Sequence, residues 1–172
     1  MDAARPLPIS QLVRLNRTAR TGNLAAAAAT ARHGAHGLPT DWTAVTPDGR
    51  LLPASGQPPE FGYNAVRVPL HLCWSVRFDA AGTMLRRAIL DRMLGFWSEQ
   101  KPMPDRWDVE RDTAAGGPAP KGFTDIAALV ASSCRPTGTD AVAIPKEESY
   151  YSAALMTLVA LARADLQQTG QP

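Results

Sequence analysis

The chain has 172 residues, 45% of them hydrophobic and 20% charged, with a net charge of +2, which suits one domain with a core of its own. Its arginines are spread out, Arg14, Arg17 and Arg20 in one group and Arg86, Arg87 and Arg92 in another. They read as solvated helix faces and exclude the basic stripe of a nucleic-acid binder. No stretch is long and apolar enough to span a membrane, and "MDAARPLPIS" lacks the charged start and apolar run of an export signal.

From residue 8 to 35 the pattern is helical with one interruption. Ile9, Leu12, Val13 and Leu15 fall near one face, Thr21-Gly22-Asn23 breaks the rhythm, and "LAAAAATARHG" is a strong helix former ending at glycine. The next stretch, "LPTDWTAVTPDGRLLPASGQPPE", is punctuated by proline and glycine. Its "PDG" between "TAV" and "RLL" predicts a tight turn joining two short strands. "FGYNAVRVPLHLCWSV" is apolar on nearly every side, the mark of a buried helix. Pro69 inside it predicts a kink or a special start. In "GTMLRRAILDRMLGFWSEQ" the 3.6-residue period points Met84, Leu85, Ile89, Met93 and Phe96 inward and Arg86, Asp91 and Arg92 outward. Residues 99 to 121 are again rich in Pro and Gly, with a short hairpin expected in "DRWDVERDTAAGGPAP". "GFTDIAALVASS" predicts a short apolar helix. "PKEESYYSAALMTLVALARADL" predicts the last one, with Glu147 and Glu148 in its first turn, where the macrodipole favours acids. There is no βαβ rhythm, no phosphate-binding glycine loop and no nucleophile elbow. The fold class is mainly α, and buried helices paired with amphipathic ones suggest two concentric layers.

Cys73 and Cys134 sit among apolar or small residues, without metal-ligand spacing, and read as buried or idle thiols. His33, His36 and His71 lack a third ligand nearby, so neither metal nor cofactor is expected. Three aromatic-plus-polar stretches remain: Asp41-Trp42, Tyr63-Asn64 with Arg67, and Tyr150-Tyr151. Tyr63 and Arg67 are four residues apart, and Asn64 and Arg67 three, so on a helix they would be neighbours. Such groups could line a sugar cleft, with aromatics stacking on pyranose faces and Asn, Asp and Arg binding hydroxyls. Core aromatics with an arginine that ties down a loop explain the same residues, and on spacing alone that explanation is favoured.

The stretches "LPTDW", "FGYNAVRVPLHLCW", "GPAPKGFTDIAALV" and "ESYYSAALMTLVALA", in that order, resemble the C-terminal half of the family 8 glycoside hydrolases. This family of bacterial endoglucanases includes the cellulase encoded beside bacterial cellulose synthase. The matching region is 38–167, preceded by N-terminal helices over 1–37 and followed by a fraying tail, 168–172. The resemblance implies part of an (α/α)6 barrel, about half of the toroid, with long loops and short hairpins. It implies inverting hydrolysis of β-1,4-glucan in a cleft, and a secreted or periplasmic location. The partners it implies are a β-1,4-linked polysaccharide or oligosaccharide, and an N-terminal half or a second copy covering the open barrel.

Inversion needs two carboxyl groups ~6.5–9.5 Å apart, one as acid and one as base. The resemblance implies that the acid is a glutamate of the family's N-terminal half, outside this chain. It puts the usual base, an aspartate, at Asn64. A carboxamide is not a useful base near neutral pH. The alternatives are a base drawn from Asp41 or Glu60, a decayed or inactivated copy that still binds glycan, and a helical interaction domain without a sugar role. Carried over by position, Tyr63 sits beside the reacting sugar and Arg67 holds the base position or a hydroxyl. Trp42, Tyr150 and Tyr151 line or support the cleft. Asp41 binds substrate or caps a turn.

Overall fold

The computed structural model describes residues 7–8, 28–77, 83–135 and 143–168. Most of the interrupted helix expected over 8–35 and nearly all of the fraying tail therefore lie outside the described residues; residues 28–30 are the end of a helix. In chain order the elements are β1 (Leu7–Pro8), β2 (Trp42–Val45), β3 (Leu51–Pro53), β4 (Glu60–Phe61), α1 (Arg67–Trp74), a 3₁₀ turn (Ser75–Arg77), α2 (Thr83–Glu99), β5 (Trp107–Asp108), β6 (Thr113–Ala114), α3 (Lys121–Ala131) and α4 (Tyr150–Gln168). The molecule is rich in helix with a few short strands.

Both expected hairpins form. Strands β2 and β3 pair antiparallel with Val45 opposite Leu51, and Gly49 takes a positive φ in the turn between them. Strands β5 and β6 pair with Trp107 opposite Ala114. Strand β4 joins the second hairpin with Phe61 opposite Trp107. That register brings residues 60–61 against a loop more than forty residues further on.

Helix α1 is the hub, packing against α2, α3 and α4. Val68, Pro69, Leu70, Leu72 and Cys73 are all buried. Because α1 begins at Arg67, Pro69 lies in its first turn, where its missing N–H costs no hydrogen bond. Helices α3 and α4 meet closely at Gly122, where a Cβ would lie 2.7 Å from the Ser152 carbonyl oxygen and 2.8 Å from Leu155 Cβ. Phe123, Ile126 and Leu129 of α3 and Leu155 and Val159 of α4 bury their side chains in one core with Leu70, Leu72, Ile89 and Met93.

Four expectations need correction. The buried face of α2 is Arg86, Ile89, Leu90, Met93, Phe96 and Trp97, an i, i+3, i+4, i+7 stripe rotated from the expected one. Met84 is 87% exposed, whereas Arg86, expected outside, is 3% exposed and donates to Ser75 Oγ. Arg92 is half-buried. Glu147 and Glu148 belong to the turn before α4. The cysteines are not thiols: Cys73 and Cys134 form a disulfide, their Cα atoms 5.1 Å apart. It ties the end of α1 to the turn after α3. Neither residue's sequence context announces a partner 61 positions away.

Candidate functional site

The chain from Gly62 to Val66 turns tightly before α1 starts, so its amides would be left without helical acceptors. Asp41 supplies one. Its Oδ1 accepts from the amides of Gly62 (3.1 Å), Asn64 (2.9 Å) and Ala65 (2.7 Å). The same residue's amide donates to the Glu60 carbonyl. Asp41 is thus a side-chain lock on the turn, the cap role that its sequence position allowed, and it is 7% exposed. Burial pushes its pKa above the ordinary carboxylate value, with the nearby Glu60 adding to the rise, while the three amides pull the other way.

The locked turn presents Tyr63 and Asn64. Asn64 Oδ1 accepts from Arg67 Nη2. Tyr63 is half in solvent at 39% exposure, and its hydroxyl donates to Asp105 Oδ2 at 2.9 Å. That acceptor, with some burial, raises the Tyr63 pKa. The ring lies edge-on to Phe123 at 5.5 Å and to Tyr151 at 5.2 Å. The Tyr151 hydroxyl donates to the Tyr63 carbonyl, so the first turn of α4 is hydrogen-bonded to the turn before α1. Burial pushes the Tyr151 pKa up to about 12.

Asp105 completes the group. Its Oδ1 is buried with no hydrogen-bond partner and lies 3.9 Å from Arg106 Nε. Gly116 makes room for it, since a Cβ there would sit 2.0 Å from that oxygen. Arg106 also reaches Glu60 Oε2 at 3.5 Å. Three carboxylates, two tyrosines and two arginines therefore surround one turn.

The structure brings together Asp41, Tyr63, Asn64, Arg67 and Tyr151 of the residues singled out in the sequence. The spacing argument for Tyr63 and Asn64 needs correcting, because both precede the helix and their position comes from Asp41. Tyr150 is not part of the group: it is 91% exposed at the start of α4. Trp42 is half-buried on β2, and its ring takes no part in the Tyr63–Phe123–Tyr151 contacts. Sequence reading missed Asp105 and Phe123. Asp105 lies 42 positions from Tyr63 in an aperiodic Pro-rich loop, so no local signal announces it. Phe123 lies in a short apolar stretch whose sequence does not distinguish it from any other core aromatic, yet its ring packs against both Tyr63 and Tyr151. A cavity of about 310 Å³ between α2 and the end of α3, lined by Arg86, Leu90, Val130 and Arg135 among others, shares no residue with this group.

The aspartate-locked turn thus displays an aromatic, an amide and a guanidinium at the start of α1. The family model for the glycosyl hydrolases family 8 matches residues 18–165, and the chain belongs to that family. A probable endoglucanase of Novacetimonas hansenii is 37% identical over 143 residues, 78% of this chain and 37% of that protein. The solved endo-β-1,4-glucanase CMCax of Acetobacter xylinum superposes with a TM-score of 0.70 at 28% identity, covering 97% of this chain and 54% of that one. A family 8 endoglucanase from Klebsiella pneumoniae gives a TM-score of 0.73 at 23% identity, covering 96% and 54%, a likeness of fold. The chain spans about half the length of these structures.

Proposed function

We propose that this chain forms the C-terminal part of an (α/α)6 barrel and supplies one wall of a cleft for a β-1,4-linked glucan. The observation that carries this reading is the turn held by Asp41, which in a family 8 chain sets Tyr63, Asn64 and Arg67 side by side and faces them with Tyr151. The exposed Tyr63 ring is an apolar face for a pyranose, and Asn64 and Arg67 are hydroxyl partners. The names of the Novacetimonas and Acetobacter relatives support a glucan of the cellulose type. The Cys73–Cys134 disulfide supports a place outside the reducing cytosol.

For hydrolysis, the acid would come from the part of the relatives' length that this chain does not span. Asn64 cannot deprotonate water, so the base must be another group. Asp105 suits that role better than Asp41 or Glu60. Asp41 Oδ1 is saturated by three amides, whereas Asp105 accepts from the hydroxyl of the exposed Tyr63; Arg106 lies near both Glu60 (3.5 Å) and Asp105 (3.9 Å), and the unbonded Asp105 Oδ1 is buried, so the role requires a shift that opens it to water.

A second reading, glycan binding without cleavage, is favoured by one observation: the Asn64 carboxamide already accepts the Arg67 guanidinium in place of a carboxylate. Titrating the chain with cello-oligosaccharides while following tryptophan emission tests both. Saturable binding, weakened by Tyr63→Ala, is expected; no binding at millimolar oligosaccharide refutes the cleft. Carboxymethylcellulose cleavage after adding a relative's N-terminal half separates the two readings. Cleavage that is lost in Asp105→Asn supports the hydrolase. Cleavage that appears only with Asn64→Asp supports the binding remnant.

A further inference from the structure

We propose that the cavity between α2 and the end of α3 binds a small organic anion, a carboxylate or phosphate group carried on a body with an apolar face. It lies at the far ends of α1 and α3 from the Tyr63 group and does not depend on the glucan reading. Three observations meet there. First, the space has room, about 310 Å³, and its rim residues Thr83, Arg87, Ser133 and Arg135 are exposed. That volume is at the lower end for ligand sites and suits a one-ring body rather than a polymer. Second, its walls are cationic. Thr83, Arg86, Arg87 and Asp91 fall on one face of α2, and Arg135 lines the space from the turn after α3. Among the described residues that line it there are three arginines and one acid, and that acid, Asp91, is already bonded to Arg87 at 3.2 Å. Third, the turn that carries Ser133 and Arg135 is strained. Ser133 and Cys134 hold positive φ angles of 56° and 57°, a conformation that residues with a Cβ rarely take.

Leu90, Val130 and Cys134 are buried and make an apolar floor, and Val76, 44% exposed, adds an apolar edge. Arg86 is 3% exposed and its Nη1 donates to Ser75 Oγ, so it sets a fixed positive charge in the wall. Arg87 and Arg135 are exposed and can swing onto an oxyanion, which a guanidinium holds through paired N–H donors. The last carbonyls of α3 do not repel it, because those of Ala128, Leu129, Val130 and Ser132 accept from the amides of Ser132, Cys134, Ser133 and Arg135. The disulfide to Cys73 fastens the strained turn, and with it one wall of the cavity, to the end of α1. A bare inorganic ion would leave the floor wet, and an uncharged apolar body would gain nothing from the arginines. An anion with an apolar face uses both.

Calorimetric titration of the 172-residue chain with benzoate and with phenyl phosphate tests this, with benzyl alcohol and inorganic phosphate as references. Saturable binding of at least one of the two acids at millimolar concentration is expected, roughly tenfold or more tighter than either reference. Arg87→Gln and Arg135→Gln change exposed side chains and should each weaken that binding roughly tenfold. Arg111→Gln, on the hairpin between β5 and β6, should leave it unchanged. The proposal is overturned if neither acid binds saturably, or if benzyl alcohol or inorganic phosphate binds as tightly as the acids. It is also overturned if Arg111→Gln weakens binding as much as the two cavity variants, or if those variants bind like wild type.

Discussion

Removing the Asp41 side chain should uncouple the site from the fold more than any other single change. In Asp41→Ala the amides of Gly62, Asn64 and Ala65 lose their shared acceptor. Gly62 and Ala65 are buried, so their amides have no water to turn to, whereas Asn64 is half-buried. At about 1–3 kcal/mol for each stranded buried donor, with partial relief at Asn64, the loss is about 3–5 kcal/mol. For a chain of this size that corresponds to a fall in melting temperature of roughly 6–20 °C. Asp41→Asn keeps an acceptor oxygen and should cost about 1 kcal/mol or less at neutral pH, because losing the charge also removes its burial penalty. The pH dependence fixes the sign. The folded Asp41 pKa lies above the ordinary 3.8, so the native state binds the proton more tightly than the unfolded one. Its contribution to stability is therefore present in full below 3.8 and is lost as pH rises through the folded pKa. Urea unfolding followed by circular dichroism, in wild type, Asp41→Asn and Asp41→Ala across pH 3 to 7, measures all of this. If the alanine variant stays within 1 kcal/mol of wild type at neutral pH, Asp41 is not the lock described here. If the asparagine variant keeps the wild-type slope, the pH effect belongs to another group.

Replacing Cys73 and Cys134 by alanine together opens a loop of 61 positions. Chain entropy sets the loss at about 4 kcal/mol, read as a lower urea midpoint that reductant no longer changes. Tyr151→Phe deletes the bond to the Tyr63 carbonyl, for about 1 kcal/mol. In an ultraviolet phenolate titration it should also remove the late step near pH 12; a late step that survives the substitution assigns the shift to another tyrosine. Gly122→Ala drives a methyl into the Ser152 backbone and Leu155. A loss of about 2–3 kcal/mol is expected, and unchanged thermal unfolding would contradict the close α3–α4 approach.

What was legible in the sequence was whatever is local. The "PDG" turn, the second hairpin and the buried character of α1 follow from turn residues and runs of apolar side chains. The register of α2 was misread because its arginines were assumed to face water. Arg86 instead finds Ser75 on the neighbouring 3₁₀ turn and takes a core position that charged side chains rarely occupy. Spacing suggested a helix through Tyr63, Asn64 and Arg67, because three- and four-residue intervals do not distinguish a helix from a tight turn held by a distant carboxylate. The same distance hid Asp105 and the cysteine pairing. Each depends on a partner that only the folded chain brings near.

The Cys73–Cys134 bridge divides the chain in an unexpected way. Helix α2, both strands of the second hairpin, Asp105 and α3 lie inside the covalent loop, and Asp41, Tyr63, Asn64 and Tyr151 lie outside it. A protease cut anywhere between the two cysteines would leave the pieces joined. The nicked protein would migrate as one band without reductant and as two with it, and after a cut between Cys73 and Asp105 the Tyr63–Asp105 contact would link separate polypeptide segments. A clipped sample of this protein could therefore pass for intact in any measurement made under oxidising conditions.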